Sequence, residues 1–180
     1  SAYEKSGRLP EALSSFQQVV KLKPDEEVPI RTLGAIAHKM ARWDAVIDAY
    51  EWLIVQNPDE VGSHRILASA YKAKGQDQKL IGAYTEIIRL DPSSSVSYTN
   101  LGNIYVRLKD YNKGVSQYRA GIKATPEFEL LHYNLGNVLF TQKVYRPAMD
   151  AYMGYLKLAP EGTYAFSRSC QAAFSLDTEG

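Results

Sequence analysis

Apolar residues along this chain recur at i, i+3, i+4 and i+7, the signature of one face of a helix. Leu101, Ile104, Tyr105 and Leu108 follow it. After a polar break, Tyr111, Val115, Tyr118 and Ile122 follow it again. The pattern predicts a helix, a tight turn and a second helix, all within about one third of a hundred residues. The fold class read from the pattern is all-α.

The helical pair is then repeated. Pro24, Pro58, Pro92, Pro126 and Pro160 stand 34 residues apart without drift. So do the aromatic residues Phe16, Tyr50, Tyr84, Tyr118 and Tyr152. A fixed period of this length marks one supersecondary unit copied and stacked. The run Tyr98-Thr99-Asn100-Leu101-Gly102-Asn103 returns as His132-Tyr133-Asn134-Leu135-Gly136-Asn137, with weaker copies at Ile30–Ala35 and His64–Ser69. Each proline closes the second helix of a copy, since it lacks a backbone donor and drives its predecessor out of helical geometry. The following residue (Asp25, Asp59, Ser93, Glu127 or Glu161) is expected to start the next helix by capping or charge–dipole attraction. Pro10, Pro29 and Pro147 fall in first turns, where a missing N–H costs little. Gly34, Ala68, Gly102, Gly136 and Cys170 share one register position, where a small side chain lets helices approach.

These motifs resemble the tetratricopeptide repeat (TPR) family: a large residue, Leu-Gly and Tyr in the first helix, then Ala, an aromatic residue, Ala and a closing Pro in the second. Val46, Leu80 and Gly114 replace the first Ala, and Leu53, Ile87 and Tyr155 the second. The resemblance implies a right-handed α-solenoid with a concave groove lined by first helices. The expected organisation is a partial repeat over residues 1–26, full repeats over 27–60, 61–94, 95–128 and 129–162, and a capping helix or further repeat over 163–180. Ser1 falls inside a first helix, so the natural N-terminus is expected upstream.

Composition narrows the partners. A net charge of +1 gives no global pull toward nucleic acid or membrane. No apolar run is long enough to span a bilayer. The lone Cys170 excludes an internal disulfide framework or a cysteine metal site and fits a reducing compartment, which favours the cytoplasm. His38, His64 and His132 lack metal-ligand spacing and read as packed side chains. Ser69-Ala70-Tyr71-Lys72 matches a Ser-x-x-Lys pattern without its companion motifs. No phosphate loop is present. The chain therefore reads as non-catalytic, with no cofactor and no metal.

Family resemblance, with which the periodicity agrees, aims six positions of each first helix into the groove. None of them holds Asp or Glu. The basic ones are Arg31, Lys39, Arg65, Lys72, Arg107 and Arg168; Lys39, Lys72 and Arg107 also sit where helix C-termini favour cations. Asn100, Asn103, Asn134 and Asn137 form a ladder that Arg168 and Gln171 extend. Each amide offers both a donor and an acceptor, as a peptide backbone does. The Asn-Leu-Gly-Asn cores resemble O-GlcNAc transferase repeats, in which such asparagines hold substrate backbones. Asn103, Asn134 and Arg168 also match part of the carboxylate clamp of co-chaperones, but Thr99 and Tyr164 stand where its lysines belong. Val96, Val106, Leu130, Tyr133, Phe140 and Tyr164 would line apolar pockets.

The leading expectation is a protein-interaction module that binds an extended or helical, acid-bearing partner segment. The candidate site is Arg31, Arg65, Asn100, Asn103, Arg107, Asn134, Asn137, Arg168 and Gln171. Two alternatives stay open: the substrate-recruiting arm of a larger enzyme such as a glycosyltransferase, and a scaffold that self-associates through terminal helices bearing Phe166 and Phe174.

Overall fold

The computed structural model describes residues 8–178, so the expectation for the chain's first residues lies outside the described part. Among the described residues are ten helices and no strand. They are α1 (Leu9–Leu22), α2 (Glu27–Lys39), α3 (Trp43–Gln56), α4 (Val61–Lys74) and α5 (Asp77–Leu90), followed by α6 (Ser95–Arg107), α7 (Tyr111–Ala124), α8 (Glu129–Thr141), α9 (Tyr145–Leu158) and α10 (Thr163–Thr178). The chain divides into two compact units, residues 1–90 and 91–180. In the first unit α1 packs on α2, α2 on α3, α3 on α4 and α4 on α5. In the second, α6 packs on α7, α7 on α8, α8 on α9 and α9 on α10, and α6 also touches α8.

The tight turn inside each hairpin is the same device four times over. Ala41, Gly75, Lys109 and Lys143 adopt φ of 53°, 66°, 62° and 60°. The next residue's N–H reaches back five positions: Arg42 to Ala37, Gln76 to Tyr71, Asp110 to Tyr105 and Val144 to Leu139, at 2.8–2.9 Å. Together with the shorter bonds such as Lys109 N–H to the Val106 carbonyl, this is the Schellman closure of a helix end. Only Gly75 meets the left-handed conformation without a Cβ penalty.

Between hairpins the prolines act as expected, but their neighbours do not. Each second helix stops two residues before its proline. Pro24, Pro58, Pro92, Pro126 and Pro160 then occupy the second position of a β-turn, closed by bonds such as Phe128 N–H to the Thr125 carbonyl at 3.1 Å and Gly162 N–H to the Ala159 carbonyl at 3.1 Å. Asp25, Asp59, Ser93, Glu127 and Glu161 are therefore third residues of turns and not helix caps. The residues that flank the helix starts, Glu26, Glu60, Ser94 and Phe128, make no side-chain cap bond either.

The register position of the small residues is where each hairpin closes. A β-carbon on Gly34 would stand 2.7 Å from Tyr50, one on Gly102 2.3 Å from Tyr118 and one on Gly136 2.6 Å from Tyr152. The aromatic ring of the second helix lies against the bare backbone of the first. Tyr118 and Tyr152 are 2 % and 0 % exposed as a result. Burying such a ring stabilises the fold by about 1.5–3 kcal/mol, several times what helix propensity contributes per residue. Cys170 holds the same register position on α10 but is exposed.

Candidate functional site

The first helices carry the candidate residues: α2 and α4 in the first unit, α6, α8 and α10 in the second. Arg31 on α2 is deeply committed. Its Nη1 and Nη2 donate to the Glu60 carboxylate at 2.7 and 3.0 Å, and Nη2 and Nε donate to Glu27 at 2.7 and 3.2 Å. Ser63 Oγ adds a 2.8 Å bond to Glu60. Arg31 hydrogen bonding holds Glu60 below the usual carboxylate range, and the two carboxylates raise the arginine in turn. Two acidic groups thus surround a position that the groove pattern presented as a bare cation. Arg65 on α4 is exposed. Between these helices Ser69 Oγ donates to the Ile66 carbonyl at 2.7 Å, so the 3.2 Å contact from His38 Nε2 is a donation to Ser69.

The histidines read as packed side chains do have structural partners. His64 and His132 Nε2 donate to the carbonyls of Pro58 and Pro126 at 2.7 and 3.0 Å, pinning each first helix to the preceding inter-hairpin turn. Among the described residues no group of three or more His, Cys, Asp or Glu side chains could hold a metal. No helix there is long and apolar enough to cross a membrane.

In the second unit the asparagine ladder splits into two kinds. The Tyr118 phenol donates to Asn103 Oδ1 at 2.6 Å, and the Tyr152 phenol donates to Asn137 Oδ1 at 2.9 Å. Each bond uses one lone pair of the amide oxygen and fixes the amide, whose NH₂ group stays uncommitted. Burial pushes both phenols up to about 12, so they remain protonated donors. Asn100 and Asn134 are half-buried and make no side-chain hydrogen bond among the described residues. They keep donor and acceptor available. Arg107, at the end of α6, and Gln171, on α10, are exposed.

Arg168 lies in an aromatic setting. Its Nε and Nη2 donate to the Tyr164 hydroxyl at 3.0 and 2.9 Å, and its guanidinium stacks 4.7 Å from the Phe140 ring centroid and 5.3 Å from that of Tyr164. Tyr133 sits at the centre of a ring cluster, 5.4 Å from Tyr155, 6.1 Å from Tyr164 and 6.4 Å from Tyr152. Tyr133, Phe140 and Tyr164 were legible as groove positions; Tyr145, Tyr155 and Lys143 were not, although Lys143 recurs in register with Ala41, Gly75 and Lys109. Of the expected apolar linings, Val96 and Leu130 are exposed, while Val106 is packed so closely that a β-carbon on Gly114 would meet its Cγ2 at 2.8 Å.

Models described as tetratricopeptide repeat or TPR repeat match residues 63–95, 83–115 and 102–143. No curated protein matches the sequence. Among solved structures, MamA is 19 % identical, covers 89 % of this chain and 94 % of its own, and superposes with a TM-score of 0.70. YrrB, a TPR protein with an unusual peptide-binding site, is 13 % identical over 91 % of this chain and 84 % of its own, with a TM-score of 0.69. A tetratricopeptide repeat protein from Parabacteroides merdae is 13 % identical over 98 % of this chain and 70 % of its own, with a TM-score of 0.68. The family matches identify tetratricopeptide repeats over residues 63–143, and the 34-residue period, the hairpin geometry and the likeness in fold to solved TPR structures agree with them.

Proposed function

We propose that the chain is a protein-binding module that holds an extended segment of a partner on the first helices of its second unit, residues 91–180. The observation that carries this reading is the division of labour in the ladder. Asn103 and Asn137 are oriented donors, and Asn100 and Asn134 are uncommitted amides at neighbouring groove positions. Peptide carbonyls and N–H groups need both kinds of partner. Arg168, Arg107 and Gln171 add donors on the same set of helices. In the first unit Arg31 is already held by Glu27 and Glu60 and contributes less to an acidic partner. The likeness in fold to a peptide-binding TPR protein supports the same class of function.

The test is a peptide array probed with the wild-type chain and with Asn134→Ala. Losing one or two amide bonds worth about 0.5–1.5 kcal/mol each should weaken binding about tenfold. Helicity should not change, since Asn134 holds nothing in the fold. Equal binding by both proteins across the array would reject the reading.

A second reading, self-assembly, rests on α10. Phe166 and Phe174 are 62 % and 72 % exposed on one helix. Light scattering that reports a constant monomer mass up to millimolar protein would remove it.

A further inference from the structure

The net charge of +1 conceals a segregation within the second unit. α6 and α8 touch and hold the same place in successive repeats, so they run in the same direction and end side by side, with axes about 8–10 Å apart. Their hairpin tips therefore share one edge. The first tip carries Leu108 and Lys109 and the second Lys143, Val144 and Arg146, all exposed. Asp110 is the one acid in either tip; it caps α7 and pairs with the Lys113 ammonium at 2.9 Å. At the opposite, proline-turn edge Asp91, Glu127, Glu129 and Glu161 outnumber Lys123 and Lys157. α10, also a first-type helix, ends on the hairpin edge with Asp177 in its last turn, which confines the basic patch to the two tips.

Three features of these tips work against the fold. Lys113 and Arg146 stand in the first turns of α7 and α9, where the helix dipole disfavours a cation; at the corresponding starts α3 and α5 carry Asp44 and Asp77. Lys109 and Lys143 hold left-handed turn positions, where Gly75 stands in the first unit, at a cost that glycine avoids. Leu108 and Val144 are 43 % and 42 % exposed beside them. Departures from local preference gather at functional sites. We infer that this edge rests on an anionic lipid surface, with Lys109, Lys143 and Arg146 on the phosphates and Leu108 and Val144 entering the boundary between headgroups and acyl chains. A nucleic-acid duplex pairs such cations but leaves the apolar tips in water, whereas a membrane interface takes both at once. Tyr111 and Tyr145, which begin the helices after the tips, are of the residue type that such interfaces favour. The edge is not the first-helix face assigned above to a partner segment, so the inference stands independently of the protein-binding reading.

Co-sedimentation of the full chain with lipid vesicles tests this. Phosphatidylcholine vesicles containing about one third phosphatidylglycerol should pellet the protein at low salt, and pure phosphatidylcholine vesicles should not. Lys109→Gly/Lys143→Gly removes two cations at positions that glycine suits, so the fold is kept while binding should fall at least about tenfold. Lys123→Gln/Lys157→Gln makes the same change in net charge at the proline-turn edge and should leave binding within about twofold of wild type. Val144→Ser, which puts a capping residue at the start of α9, should weaken binding about threefold. A failure to pellet with the anionic vesicles, equal losses in the two double variants, or wild-type binding by Val144→Ser overturns the inference. So does a DNA duplex or polyglutamate that binds as tightly as the vesicles, which would make the edge a site for another polyanion.

Discussion

A β-carbon placed on Gly102 would lie 2.3 Å from Cε1 of Tyr118, closer than any relaxed contact allows. Tyr118 cannot easily yield, because its ring is buried and its hydroxyl is tied to Asn103. Gly102→Ala should therefore destabilise the second unit. Overpacking costs about 1–3 kcal/mol, and the helix-propensity gain of up to about 1 kcal/mol opposes it without cancelling it. Gly82→Ala is the internal control. That glycine lies within α5 with nothing within 4 Å of the new atom, so the same chemical change should stabilise by about 0.5–1 kcal/mol. Thermal denaturation of the two variants should move in opposite directions; a shared direction would mean that the Tyr118 contact does not govern the outcome.

The four left-handed turn residues give a second pair of opposed changes. Ala41 and Lys109 tolerate φ of 53° and 62° at a cost of about 1–2 kcal/mol that glycine avoids, less the extra entropy a glycine loses on folding. Ala41→Gly should stabilise by about 0.5–1 kcal/mol, and Gly75→Ala should destabilise by a similar amount. Urea titration reads both. If Gly75→Ala proves neutral, the turn adapts by leaving the left-handed region.

Acid sensitivity should concentrate on the Arg31–Glu60 cluster. Glu60 is held below its ordinary 4.5, chiefly by Arg31, and Glu51 is lowered chiefly by Lys79. A carboxylate depressed in the folded state contributes stability above its unfolded value and loses it as pH falls through the folded one. Stability should therefore be level between pH 6 and 8 and decline below about pH 4.5. Glu60→Gln should flatten part of that decline and cost no more than about 1 kcal/mol at neutral pH, since both partners are partly solvated. An unchanged acid limb in the variant would place the pH sensitivity elsewhere.

The helical pairs, the helix ends at each proline and the register positions of the small and aromatic residues were legible before any coordinates, because each leaves its trace every 34 residues. That the small residue meets the aromatic ring, and that the residue after each proline sits in a turn, came from the packing. The turn residues show where this logic stops. Ala41, Lys109 and Lys143 share a backbone conformation with Gly75 without sharing a side chain, because the Schellman bonds that impose it come from the backbone.

By itself, then, the sequence determined the repeat and its helices and named candidate residues on each first helix. Only the tertiary structure decided what those residues are free to do. Arg31 is consumed by Glu60, which lies 29 positions away, whereas Asn103 and Asn137 are oriented by phenols 15 positions away in the packed second helix. Arg168 is fixed by Tyr164 and stacked on Phe140. The physical reason is that periodicity specifies direction from the backbone, whereas hydrogen-bond commitment depends on rotamers and on the individual neighbour that each copy happens to place within about 3 Å.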